Sequence, residues 1–446
     1  MKDIRLEIKP VGVPKAERSE AKQTGENHER WEWVEPAVWT ERMLTALETG
    51  LKGGKWFSLI DKVYALSSLK AAYEKVKANK GSAGVDGQSI ELYERKLGEN
   101  LERLSRKLRE GSYQPEGIRR VYIPKTGSAE KRPLGIPTVQ DRIVQTAMKQ
   151  VMEPIYEKDF AERSYGFRPG RGCKPALREV DRLLKAGYNW VVDADLKGYF
   201  DSIPHEKLEK LITEKISDGR LLSLIGVYLK QEIMEEMKSW RPEQGTPQGA
   251  VISPLLSNIY LDPLDHEMSR RGYQMVRYAD DFVILSQSQA EAERALEVVK
   301  EWTAKAGLEL HPEKTRVVKA DETGFDFLGY TFIRGQRWPR KKSLKKFKDS
   351  IREKTERTNG QSLEACIKEI NGTLKGWFGY YKHSRKPIFI ELDGWIRMRL
   401  RSILRKRHGR KGRGRGADHQ RWPNKYFQEH GLFSLAAAHV LACQPS

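Results

Sequence analysis

Two apolar runs that end or turn on aspartates constrain this chain more than any other feature. WVVDADL (190–196) reads as a buried strand, and the period of two places Asp193 and Asp195 on one of its faces. Asp201 follows in the next turn. MVRYADDFVILS (275–286) reads as a hairpin folded about Asp280 and Asp281, with apolar residues on either side. Adjacent carboxylates beside a core are costly, and a divalent cation offsets them more naturally than any single lysine. Taken alone, YADD (278–281) reads equally well as an ordinary acidic turn. A strand ending in acids, followed far along the chain by a hairpin bearing two more, is the arrangement that nucleotidyl transfer by two metal ions requires. Hard oxygen ligands suit such ions better than cysteine or histidine.

The remaining pattern is mixed. Apolar residues at helical spacing (Leu59, Val63, Leu66, Leu69, Tyr73, Val76) predict a helix over 59–78, ending at the turn-rich KGSAGVDG (80–87). A second helix near 90–110 precedes RRVYIPK (119–125) and RPLGIPTV (132–139), which read as a β-hairpin with its turn at 126–129. GLKGGKW (50–56) lacks the spacing and hydroxyl of a phosphate loop. Scattered strands separated by helices of varied length predict an α+β fold and exclude a doubly wound sheet. At 446 residues two or three domains are expected. We divide the chain into a flexible extension (1–58), a central unit (59–335), a helical unit (336–406) and a basic C-terminal tail (407–446).

The net charge of +20 is local: between Arg337 and Gly416 there are 25 Lys and Arg against 7 Asp and Glu. Charges crowded in this way repel one another unless phosphates neutralise them, so the region is expected to bind nucleic acid. Three helices are legible there, through Leu344, Phe347 and Ile351, through Leu363 to Tyr381, and through Phe389 to Ile403, with Ser343 and Ser362 as N-caps of the first two. Lys345, Lys346, Lys348, Arg397, Arg399, Arg401 and Arg405 fall mostly off the apolar stripes and predict outward cationic faces. RSILRKRHGRKGRGRG (401–416) has eight basic residues and no acid, which favours disorder until RNA binds. Cys173, Cys366 and Cys443 form no C-x-x-C pair, so neither a disulfide framework nor a zinc knuckle is signalled. No apolar window suits a membrane span and the first residues lack a secretory core, so a cytoplasmic protein is expected.

These motifs, taken in order, resemble those of group II intron-encoded reverse transcriptases and maturases. The likeness covers about residues 60–440 and rests on RPLGIPTVQDRIVQ (132–145), SYGFRPGRG (164–172), DADLKGYFDSIPH (193–205), GTPQGAVISPLLSNIYLD (245–262), YADD, GLELHPEKT (307–315) and FDFLGY (325–330). The resemblance implies a right-hand polymerase, fingers and palm, followed by an α-helical thumb or maturase domain. It implies that Asp195, Asp280 and Asp281 are catalytic metal ligands, with the Leu196 carbonyl completing one site, and that two Mg2+ ions serve, Mn2+ being a possible substitute. Asp193 matches less well as a ligand. Phe200 matches the aromatic that excludes a ribose 2′ hydroxyl. Lys125 and Arg132 match the triphosphate-binding pair, Gln248 the residue beside the incoming nucleotide, and Lys314 a position that protonates pyrophosphate, although an exposed helical lysine reads nearly as well. Arg168 and Arg171 read as template or primer contacts, with a structural Arg–acid pair as the alternative. Lys345, Lys346, Arg397, Arg401 and Arg405 are expected on the nucleic acid surface.

The expected partners are group II intron RNA, an RNA template with a DNA primer, dNTPs and a DNA target. Nothing in the sequence sets an oligomeric state. No C-x-x-C pairs follow the bundle, so the zinc-bearing HNH endonuclease of longer members is not expected. Two other readings stay open at this level: a catalytically silent RNA-binding maturase, and a domesticated relative serving DNA repair or CRISPR spacer acquisition.

Overall fold

A computed structural model describes residues 30–51, 53–124, 131–236, 238–358, 360–414 and 416–443. Among them the strands run β1 (Ile118–Pro124), β2 (Lys131–Ile136), β3 (Trp190–Asp195), β4 (Ile233–Glu235), β5 (Lys238–Trp240), β6 (Gln274–Tyr278), β7 (Asp281–Ser286), β8 (Arg316–Lys319), β9 (Phe325–Phe327), β10 (Tyr330–Ile333) and β11 (Gln336–Pro339). They form three sheets of order β2-β1-β4-β5, β6-β7-β3-β8 and β11-β10-β9. With the helices between them, this is the expected α+β architecture.

The β6-β7-β3-β8 sheet is the palm. Both its faces are covered, which is why its strands read as apolar runs rather than as alternating ones. Val192, Ala194, Phe282 and Ile284 join a core with the helices Val139–Glu157, Ser253–Arg270 and Gln289–Ala306. Val191, Val283 and Leu285 face the other way and meet Leu177, Val180 and Leu183 of the helix Cys173–Lys185. Each fully buried aliphatic side chain contributes roughly 1.5–3 kcal/mol, so the strand ends that carry the aspartates are held rigidly.

The β1–β2 hairpin forms as expected, pairing Arg119 with Ile136 through to Pro124 with Lys131, and β4 joins β1 in parallel. Its turn and Lys125 lie outside the described residues. The Gly135 amide donates to the Gln248 carbonyl at 2.6 Å. A Cβ on Gly249, whose φ is +106°, would stand 2.3 Å from the Gly135 oxygen. Only glycine allows that approach.

Three local expectations change. From Arg30 onward the supposed extension is packed structure: Trp31, Val38, Trp39 and Leu47 are buried, the helix Glu41–Thr49 is capped by Thr40, and the Trp39 indole donates to the Gln150 carbonyl at 3.0 Å. Large indoles bury much area without needing any periodicity. The helix expected over 59–78 breaks at Ala65 into Ile60–Tyr64 and Leu66–Asn79, and Asp218 accepts the Leu59 and Ile60 amides at 2.7 and 2.8 Å. The third change concerns the C-terminal tail.

The helices Lys341–Lys354, Leu363–Tyr381 and Lys386–Arg407 form the bundle around Phe347, Ile370, Leu374, Phe389 and Leu400. Ser362 caps the second, accepting the Ala365 amide at 3.1 Å. Ser343 does not cap the first, which begins two residues earlier, and its hydroxyl points to the Gly329 carbonyl. The tail is ordered from Gly416 to Cys443 and belongs to this bundle, with Trp422, Phe427 and Leu435 buried in its core. Asp393 anchors its last helix, accepting from Ser434 Oγ at 2.7 Å and from the Leu435 and Ala436 amides at 2.9 and 3.1 Å. Counting charge alone concealed a tail that needs only three apolar anchors to dock. Among the described residues no helix is long and apolar enough to cross a membrane.

Candidate active site

The register of β3 against β7 sets Asp195 directly opposite Asp281, and Asp280 stands at the adjoining tip between β6 and β7. That tip is tight: Ala279 sits in the left-handed region at φ 59°, a cost of roughly 1–2 kcal/mol for a residue with a Cβ. Arg277, on the strand leading into it, is wholly buried and supplies the support. Its guanidinium donates to Asp265 at 2.8 and 2.9 Å, to Asn258 Oδ1 at 3.0 Å and to the Ala279 carbonyl at 2.9 Å. Asn258 in turn donates to the Gly166 carbonyl at 2.8 Å, and a Cβ on Gly166 would stand 2.2 Å from the Ala279 nitrogen. The SYGF motif, the helix Ser253–Arg270 and the YADD turn thus lock together around one arginine. The sequence reading missed Arg277 and Asp265. A charge inside an otherwise apolar strand, MVRY, was the signal that could have found them.

The carboxylates act on one another. Burial pushes the Asp281 carboxyl up to about 7, and the negative charges of Asp280, Asp193 and Asp195 add to the shift, while a hydrogen bond from the Leu328 backbone opposes it. Asp280 is raised by burial first and also by Asp195, against relief from its own backbone hydrogen bond, Arg132 and Arg277. Asp193 is raised by burial and leans on Arg316 at 3.3 Å, away from a metal-ligand role. Asp195 accepts from the Lys314 ammonium at 2.7 Å. Among the described residues no three His, Cys, Asp or Glu side chains are gathered as a closed metal-ligating group. The donor set nonetheless fits a hard divalent cation, being all oxygen and on facing strands, with carboxylates whose charges raise one another. Closing on an ion requires Asp195 to exchange Lys314 for it.

Around these acids stand the other residues that the sequence places at a nucleotide site. Leu196 is buried and bridges to Leu310. Phe200, half-buried on the turn Tyr199–Ser202, packs edge-on to Tyr199 at 5.5 Å, and its carbonyl accepts the Thr246 amide at 2.6 Å. Gln248 donates to Asp201 at 3.1 Å and, with Arg120, Gly135, Thr246 and Trp240, lines a cleft of about 340 Å³ between fingers and palm. Arg132 is exposed, yet its charge reaches Asp280.

Three of the expected nucleic acid contacts, Arg168, Arg401 and Arg405, are corrected. The Arg168 side chain is 2% exposed, paired with Glu157 at 2.7 Å and bonded to the Ala161 and Ser164 carbonyls. It is a buried anchor, the alternative left open by the sequence. Removing it should leave Glu157 unpaired and cost about 3–5 kcal/mol, read as a loss of melting stability with no change in the salt dependence of RNA binding by the variant that remains folded. Arg171 stays half-exposed, donating to the Glu162 carbonyl and lying over the Tyr165 ring at 5.8 Å. Arg401 is buried against Phe427, donating to the Trp422 carbonyl at 2.9 Å and Asn424 at 2.8 Å. Arg405 pairs with buried Asp418. The last two were read as outward because the docking of the tail over them is invisible to helical periodicity. Lys345 and Lys346 are exposed and Arg397 half-buried, all three without ion-pair or hydrogen-bond partners among the described residues.

The chain is similar to known proteins. Residues 123–332 match the family described as reverse transcriptase (RNA-dependent DNA polymerase), and residues 344–422 match the group II intron maturase-specific domain. Protein YkfC of Escherichia coli (strain K12) is 37% identical over 292 residues, which is 56% of this chain and 76% of that protein. The group II intron-encoded protein LtrA of Lactococcus lactis subsp. cremoris is 41% identical over 196 residues, 44% of this chain and 32% of LtrA. A solved chain of a partial Cas6-RT-Cas1–Cas2 complex is 26% identical, covering 56% of this chain and 41% of that one at a TM-score of 0.35.

Proposed function

The chain belongs to the reverse transcriptase and maturase proteins of group II introns, and from that premise we propose that it extends a DNA primer along an RNA template at the acids of β3 and the YADD turn. The observation that carries this reading is the register that faces Asp195 with Asp281 beside Asp280, in a group whose charges raise one another. Asp195, Asp280, Asp281 and the Leu196 carbonyl would hold two divalent ions, magnesium with manganese as a substitute, which would supply acidification of the primer hydroxyl and charge neutralisation of the triphosphate. Arg132, with Lys125, holds the triphosphate oxygens as a cationic pair. Gln248 lies against the sugar or template base. Lys314, released from Asp195, has an ammonium proton for the departing pyrophosphate. Phe200 closes the space beside the sugar to a 2′ hydroxyl.

The helical bundle holds the template–primer duplex and the intron RNA, and a DNA target for mobility. Its exposed Lys345 and Lys346 are the starting points for backbone contacts. The test is primer extension on an RNA template with purified protein. Wild type should incorporate dNTPs and reject NTPs, and Phe200→Ala should admit ribonucleotides at least about tenfold better, since a steric exclusion of this size is worth roughly 1–3 kcal/mol. Absence of any magnesium-dependent extension by wild type overturns the reading.

A further inference from the structure

A second basic concavity lies at the junction of palm and bundle, away from every residue assigned above. It encloses about 310 Å³ and is lined by Lys174, Leu177 and Arg178 of the helix Cys173–Lys185, by Tyr330 and Arg337 of the β9–β11 sheet, and by Tyr380, Lys382 and His383 at the end of the second bundle helix. Arg337 is paired with Asp181 at 2.8 Å. Lys174, Arg178 and Lys382 have no ion-pair or hydrogen-bond partner among the described residues. Three elements distant in sequence therefore converge three uncompensated cations on one hollow, an arrangement that repels itself unless an anion enters. The crowding is felt by His383, whose imidazole is held below its ordinary value by burial first and then by Arg337, Lys382, Lys174 and Arg178 together.

The walls are joined to one another by hydrogen bonds. The Tyr330 hydroxyl donates to the Tyr380 carbonyl at 2.6 Å, and the Tyr380 hydroxyl donates to the Leu328 carbonyl at 2.6 Å. The Leu328 backbone also lowers the pKa of the Asp281 carboxyl. A nucleic acid strand is the polyanion that the polymerase reading already requires this protein to hold, and lysine and arginine around a tyrosine-walled hollow suit a phosphodiester with part of its sugar. We propose that this palm–thumb pocket binds one backbone phosphate of the bound template–primer duplex through Lys174, Arg178 and Lys382. The inference rests on the polymerase reading above but is read by binding rather than by synthesis, so the two can fail separately.

The test compares wild type with R178Q/K382Q for affinity to an RNA template annealed to a DNA primer, by fluorescence anisotropy across a salt series, after thermal melts confirm that the variant folds. Losing one phosphate contact should flatten the log–log salt slope by about 0.7–0.9 and weaken binding about fivefold near 0.15 M salt. Duplexes carrying single neutral methylphosphonates should reveal one position where wild type loses affinity and the variant loses no more. An unchanged slope in a folded variant, or equal methylphosphonate losses in both proteins at every position, overturns the proposal. So does a melting shift by inorganic phosphate that wild type shows and the variant lacks while duplex binding is unaltered, since the pocket then serves a free anion.

Discussion

Asp280→Ala is expected to abolish primer extension on an RNA template, by at least about a thousandfold, while intron RNA binding stays within about twofold of wild type. The loss corresponds to roughly 4 kcal/mol of transition-state stabilisation, the order expected when a ligand shared by both ions is removed. Binding is expected to be spared because the exposed cations proposed for the intron RNA, Lys345 and Lys346, lie elsewhere, on the bundle. The fold should also survive. Asp280 sits above its ordinary carboxylate value because it is buried beside Asp195, so its ionised form destabilises the chain. That cost is absent below the ordinary value of 3.8 and grows as pH rises through the folded pKa. In the absence of divalent ions the variant should therefore melt no lower than wild type at neutral pH, and this advantage should shrink as pH falls toward 3.8. Equal loss of polymerisation and RNA binding would sink the separation of the two surfaces.

Arg277→Met should destabilise the protein by about 3–5 kcal/mol, measured by denaturant or thermal unfolding, because Asp265 is left charged and unpaired in the core. Asp265→Ala should do the same from the other side. The double variant Arg277→Met/Asp265→Leu should regain much of the stability, since an apolar pair of similar volume often replaces a buried ion pair at little cost. It should not regain polymerisation. The Ala279 carbonyl loses its guanidinium donor in both cases, and the left-handed turn that aims Asp280 then has nothing to hold it. Recovery of stability and of turnover together would make Arg277 a packing residue only, and not the one that positions the turn.

Much of this molecule was legible in its sequence. The palm strands and the fingers hairpin follow from apolar runs and turn residues, because a strand buried on both faces has few residue types open to it. The charge map pointed to the region from Arg337 to Gly416, and Asp195, Asp280 and Asp281 stood out because acids beside an apolar strand demand a reason. What periodicity could not carry was any partner beyond its own helix or strand. Arg168, Arg401 and Arg405 look outward on a helical wheel or a loop, yet Glu157, the Trp422 carbonyl and Asp418 reach them from elsewhere. The three tryptophans near the start show no repeat, yet Trp31 and Trp39 fill the core.

The sequence by itself determined which residues had to be strands, which acids were costly enough to need a cation, and where phosphate-seeking charge lay, because these depend on local pattern and composition. Only the tertiary structure decided the register that faces residue 195 with residue 281, the inward arginine that braces the turn, the helices that absorb the tail, and the hollow where three lone cations meet. Each of those is a contact between segments far apart in the chain, and its energy is set by packing geometry that no window of sequence contains.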